Sequence, residues 1–175
     1  VTVRFDEGEP VALNGRTFVL LAGLVPGVAL LDGPRADVMR GEEVQVLGAI
    51  AAGLAPADAL FCQPGTHNKW VATDGGRITD IATVMTGELF ALLKSHGILA
   101  GMLDGAVTDG PAFRDGIARG AGACDLGAAL FEVRSGVLLG RRPAEEAAAY
   151  ASGLLIGSET AKVLTHSKVP VLVVR

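Results

Sequence analysis

The chain is poor in charge, in cysteine and in the residue spacings that bind metal. Only 19% of its 175 residues are charged and the formal net charge is −4. Nothing here offers the clustered Lys and Arg that a nucleic-acid backbone requires, so no nucleic-acid partner is expected. Two cysteines, Cys62 and Cys124, suggest no disulfide framework; both stand in apolar surroundings and read as reduced core residues. No charged-then-apolar leader opens the sequence. No apolar run approaches the roughly 20 residues that a membrane helix needs. The expected location is the cytoplasm, with no membrane partner. Paired-Cys and His-Glu-x-x-His spacings are missing, so no protein-held metal is expected.

What is present is a globular composition. Half of the residues are hydrophobic, enough at this length for a proper core in one or two small subdomains. Glycine is abundant, at 24 residues, but without a fixed period. That favours close packing of elements and many turns over a fibrous repeat.

Along the chain, Val1 to Phe5 alternates like a strand. Asn14-Gly15 lies between Val11-Ala-Leu13 and Thr17-Phe-Val-Leu-Leu21 and predicts a hairpin. Pro26-Gly27 and Gly33-Pro34 punctuate a loop. Val44, Leu47, Ile50, Ala51 and Leu54 have helical spacing from Glu42, with Gly53 near the stop. Three strands are expected between about Ala59 and Val84, the last two joined by an Asp-Gly-Gly turn. Thr86 is the expected N-cap of a helix to about His96, with Leu89, Leu92 and Leu93 inward. Pro111 starts a helix through Arg119, Asp125 caps another to about Arg134, and Gly136 to Leu139 reads as a connector. Pro143 suits the first turn of a long helix running to about His166, with Glu145 and Glu146 near its positive end. Val169 to Val174 reads as a final buried strand.

The most informative stretch is Leu60-Phe-Cys-Gln-Pro-Gly-Thr-His-Asn-Lys-Trp-Val71. A buried strand, a tight turn and a return strand are expected, with Gly65 freeing the backbone and turning amide N–H groups outward. Thr66 adds a hydroxyl, His67 an imidazole and Lys69 a positive charge. Such a turn is suited to a phosphate or a sugar-acid carboxylate. The ordinary alternative, less favoured, is a plain turn capped by Thr66 and anchored by Trp70.

Pro64-Gly-Thr-His-Asn-Lys-Trp70, Met39-Arg-Gly-Glu-Glu-Val-Gln45 and Met85-Thr-Gly-Glu-Leu89 resemble the signature segments of the 2-dehydro-3-deoxygalactonokinase family. Leu130-Phe-Glu-Val-Arg134 and Ser152-Gly-Leu-Leu-Ile-Gly157 are similar to later segments, in the same order, so the resemblance runs from about Val19 to about Ala161. Asn68 departs mildly from the small polar or thiol residue expected there. The resemblance implies ATP- and Mg²⁺-dependent phosphorylation of a 2-keto-3-deoxy sugar acid. It also implies an α/β fold: one actin-like (ribonuclease H-like) sugar-kinase half with a β-hairpin sheet and flanking helices. Residues 1–55 would end a first kinase-like subdomain, and 56–175 would form a second.

By that resemblance Glu42 or Glu43 takes the proton of the substrate's terminal hydroxyl, and Arg40, beside Gly41, orients the sugar acid. Gly65, Thr66, His67 and Lys69 meet the transferred phosphate. Thr86, Gly87 and Glu88 open a helix where an anionic substrate group binds readily. Each has an ordinary alternative. Acidic residues favour a first helical turn, Arg40 suits them as a surface partner, and Thr86 with Glu88 makes a common helix start. His96 and His166 read as helix-end dipole partners.

Two features stand apart from the family pattern. The first phosphate hairpin, an Asp-x-Gly-Ser/Thr type segment, and the adenosine-binding Gly-rich segment are not found. The expectation is therefore weak or no kinase activity from this stretch alone. Residues 155–175 also resemble the C-terminal helix and strand of universal stress proteins, where a Gly-Ser at a helix start, matched here by Gly157-Ser158, contacts nucleotide phosphates. The alternatives to a sugar-acid kinase are thus a nucleotide-binding module of that type, or an inactive scaffold whose apolar faces make a homo-oligomer.

Overall fold

The structure is a computed structural model and describes residues 11–13, 16–20, 27–31, 35–122, 125–164 and 169–173. The expectations for Val1–Phe5, Asn14-Gly15, Pro26, Gly33-Pro34, Cys124 and His166 lie outside the described residues. Two compact units are formed: Val1–Val84 with Lys168–Arg175, and Met85–Ser167. Residues 55 and 56, where the two kinase-like subdomains were expected to meet, both fall in the first unit, between its helix and its central strand.

The first unit holds two sheets and a helix. Strands β1 (Val11–Leu13), β2 (Arg16–Leu20), β3 (Val28–Leu30) and β4 (Asp37–Met39) form an antiparallel meander. Strands β1 and β2 pair with Leu13 opposite Arg16. Helix α1 (Glu42–Ala51) follows and ends ahead of Gly53, whose φ of +69° is the left-handed conformation that favours glycine.

Strands β5 (Ala59–Gln63), β6 (Asn68–Asp74) and β7 (Arg77–Val84) form the predicted antiparallel set. Gly75 and Gly76 both have positive φ, at +56° and +74°. That pair of conformations makes the two-residue turn whose twist matches a hairpin. Strand β8 (Val171–Val173) joins β5 in parallel, giving the order β7-β6-β5-β8 and a mixed sheet.

Every residue of β5 is buried. Phe61, Val71, Ile81, Leu30, Met39 and Val46 make one core from both sheets and α1. Polar side chains tie β4 to β7. The Asp37 carboxylate accepts from Thr83 N at 2.7 Å and Thr83 Oγ1 at 2.6 Å. Arg35 donates to the Ile81 carbonyl at 2.7 Å. The final strand, expected to be buried, is an edge strand: Leu172 packs on the core, while Val171 and Val173, on the other face, are 43% and 61% exposed.

The second unit is helical: α2 (Thr86–Ser95), α3 (Pro111–Ala121), α4 (Leu126–Leu138) and α5 (Ala147–Leu164), with short 3-10 turns at Gly97–Leu99 and Ala144–Glu146. Asp125 caps α4 as predicted, its Oδ1 accepting from Ala128 N at 2.9 Å. The expected connector over Gly136 to Leu139 is instead the end of α4 and its C-cap, Leu139, since Gly136 alone does not stop a helix. Leu93 and Phe90 pack inward on α2, whereas Leu92 is 45% exposed.

Helices α3 and α5 approach closely through glycine. Gly116 and Gly120 on one face Gly153 and Gly157 on the other, and a Cβ at any of the four would meet opposing backbone, that of Tyr150, Leu154, Phe113 or Ile117. The same spacing of four residues on both helices puts each pair on one face. Around this contact Leu99, Leu103, Val133, Ala147, Ala151 and Leu154 make the core. On the surface, Arg119 donates to both oxygens of Glu132, at 2.9 and 2.6 Å, and these bonds hold the Glu132 carboxyl below the usual carboxylate range. No helix among the described residues is long and apolar enough to cross a membrane.

Candidate functional site

One cleft of the first unit, of about 420 Å³, gathers Glu42 and Gln45 from α1, Gln63 from the end of β5, and Pro64, Gly65, Thr66, His67 and Lys69 from the β5–β6 loop and the first turn of β6. Strand β5 delivers its loop to the start of α1 because its five residues are all buried and fixed in register with β6.

The two glutamates are separated by their surroundings. Gly41 precedes α1 with φ +110°, a turn that presents the amides of Arg40 and Gly41 to the carboxylates that follow. Glu42 Oε2 accepts from Arg40 N at 2.9 Å, and Glu43 Oε2 accepts from Gly41 N at 2.8 Å. Glu42 lines the cleft. Glu43 is 4% exposed, outside the cleft lining, and its Oε1 is buried with no hydrogen-bond partner. Arg40 is exposed and does not line the cleft.

In the loop, Gly65 has neither role expected of it. Its φ is not positive, and a Cβ there would touch only the His67 carbonyl oxygen at 3.8 Å. Its N–H donates inward to Asn68 Oδ1 at 2.8 Å. Asn68 therefore closes the turn, as short amide side chains do. Thr66 and His67 are exposed along the cleft, and Trp70 is buried on β6. Lys69 is buried, and its Nζ donates to the Val38 carbonyl at 2.7 Å and to Thr83 Oγ1 at 2.8 Å. Two of the three ammonium donors thus link β6 to β4 and β7, while the charge stays beside the cleft.

Thr86 and Glu88 belong to the second unit. Thr86 is the first residue of α2 and not its N-cap, which is Met85. The buried Thr86 hydroxyl bonds the buried carboxylate of Glu159 on α5. Gly157 and Ser158 lie inside α5, where backbone N–H groups serve the helix, rather than at a helix start.

Gln45 and Gln63 are the cleft residues that sequence reasoning passed over. Their signal was available: Gln45 falls three residues after Glu42, on the same helix face, and Gln63 ends the strand leading into the loop. Among the described residues no group of three or more His, Cys, Asp or Glu is placed to hold a metal ion.

Comparison with known proteins identifies the family. The profile of the family described as 2-keto-3-deoxy-galactonokinase matches residues 10–174. The chain is 42% identical over 140 residues to the 2-dehydro-3-deoxygalactonokinase of Escherichia coli (strain K12), covering 80% of this chain and 47% of that protein. It is 44% identical over 151 residues to a Rhizobium meliloti (strain 1021) protein named "Probable 2-dehydro-3-deoxygalactonokinase DgoK1", covering 82% and 48%. A Sinorhizobium meliloti crystal structure, assigned to 2-dehydro-3-deoxygalactonokinase, superposes with a TM-score of 0.76 at 37% identity, over 95% of this chain and 56% of that one. The chain thus spans about half the length of the curated relatives it matches. Its mixed α/β architecture is that of the actin-like sugar-kinase fold class. On the extent of the profile match and the identity to these relatives, the chain belongs to the 2-keto-3-deoxy-galactonokinase family.

Proposed function

We propose that this chain is the part of a sugar-acid kinase that receives the hydroxyl to be phosphorylated, with 2-dehydro-3-deoxygalactonate (2-keto-3-deoxygalactonate) as substrate and ATP as phosphoryl donor. One observation carries the reading: a carboxylate at the start of α1 and the Pro64–Lys69 loop face a single cleft in a chain of this family. Glu42, in the cleft, takes the proton of the substrate's terminal hydroxyl as that oxygen bonds to the γ-phosphorus and the bond to ADP breaks. The proton is left on Glu42, and ADP departs.

Glu43, buried, acts on the backbone of Gly41 and not on substrate. Thr66 and His67 donate to the phosphoryl oxygens, while Lys69, anchored as described, contributes charge from a fixed position. Arg40 meets the substrate carboxylate from the edge of the site. Mg²⁺ bound with the nucleotide would be held chiefly by phosphate oxygens and water and would neutralise the phosphate charge, leaving Glu42 as the base.

Calorimetric titration of the purified chain with 2-keto-3-deoxygalactonate, and separately with Mg-ATP, tests the reading. Saturable sugar-acid binding is expected, weakened at least about tenfold by Arg40→Ala, a loss of roughly 1.4 kcal/mol. Binding of Mg-ATP without sugar acid, or of neither, would contradict it.

A further inference from the structure

The inference concerns two glutamines of the same cleft and rests on the sugar-acid reading above. Gln63 is 6% exposed, yet it lines the cleft. Its Nε2 donates to the Glu42 backbone carbonyl at 3.3 Å and to Gln45 Oε1 at 2.7 Å. A backbone carbonyl only accepts, so the first bond fixes which end of the Gln63 amide faces α1. The second bond fixes Gln45 in turn. With Oε1 held by Gln63, the Gln45 NH2 group is left with no acceptor among the described residues. Gln45 is exposed and lines the cleft.

Keeping this orientation leaves Gln63 Oε1 buried without a donor. A buried orphan acceptor is costly, and folds tolerate one where it serves a site. One helical turn before Gln45 stands Glu42, whose carboxylate disfavours a second carboxylate beside it. The oxygen that Gln45 can receive there is an uncharged one.

We propose that Gln45 is a specificity-determining residue, donating from Nε2 to the C4 hydroxyl oxygen of the sugar acid, two carbons from the terminal hydroxyl that Glu42 faces. Gln63 is its positioning residue. Inverting the substrate carbon that bears this hydroxyl removes the acceptor and leaves the Gln45 donor unmatched, so the pair selects one configuration.

The test is calorimetry of wild type, Gln45→Met, Gln63→Glu and Gln45→Met/Gln63→Glu with 2-keto-3-deoxygalactonate and with its C4 epimer. Gln45→Met keeps the shape and removes the donor; it should weaken 2-keto-3-deoxygalactonate binding roughly fivefold to tenfold and bring the preference over the epimer close to one. Gln63→Glu, nearly isosteric but without a donor, turns the Gln45 NH2 inward and should lose the same preference. The double variant should lose no more than Gln45→Met, a non-additivity that a merely structural Gln63 would not produce. Wild-type binding with full affinity and preference retained in Gln45→Met would overturn this inference alone. A wild-type chain that binds neither acid would overturn the reading beneath it and this inference together.

Discussion

At the scale of single residues, Lys69 joins structure to chemistry. A cation beside a loop of Pro, Gly, Thr and His reads in sequence as a phosphate ligand. In the fold its ammonium is held by the Val38 carbonyl and Thr83 Oγ1, and Thr83 in turn donates to Asp37. Lys69→Met should therefore destabilise the chain by about 1–3 kcal/mol through the acceptors it strands. A thermal melt reads this as a drop of roughly 2–4 °C per kcal/mol. An unchanged melt would mean that Lys69 serves ligand alone. The neighbouring glutamates teach a related lesson. Two adjacent carboxylates are indistinguishable as letters, but the Gly41 turn places one in the cleft and buries the other.

At the scale of elements, the two helical GxxxG spacings govern the second unit. Gly116→Ala or Gly153→Ala forces a methyl into the backbone of Tyr150 or Phe113 and should cost at least about 1–3 kcal/mol. Gly48→Ala is the contrast. Gly48 lies within α1 and nothing stands within 4 Å of its added Cβ, so the change should stabilise by up to about 1 kcal/mol. Paired melts of these variants check both signs, and equal effects would refute the close-contact account.

Elements were the most legible level. The buried apolar run and tight turn after Leu60, the Asp-Gly-Gly turn and Asp125 announced β5 to β7 and the start of α4, because local backbone preferences decide such features. What stayed hidden depends on tertiary neighbours. Gly157 reads as a phosphate-loop glycine until α3 is packed on it, and Thr86 reads as a cap until Glu159 takes its hydroxyl. Gly65 reads as a conformational necessity until Asn68 is seen to close the turn. Strand β8 is apolar enough to read as buried, but its place at the sheet edge is set by pairing order.

At the scale of the whole molecule, the family was legible because five segments occur in one order, and its profile covers nearly the full chain. The Glu42–Lys69 cleft was partly legible. Its loop and its carboxylate were singled out separately, but nothing in the spacing between Glu42 and Lys69 said that they meet. Only the packing of α1 against the C-terminal end of β5 brings them together. The central claim is that this one cleft, in the first unit, is where the sugar acid binds. The most direct measurement is an amide chemical-shift titration of the labelled chain with 2-keto-3-deoxygalactonate. The account predicts saturable shifts concentrated at Glu42 to Gln45 and Gln63 to Lys69, with Ile156 to Thr160 unmoved. Shifts centred on α5, or none at any position, would contradict it.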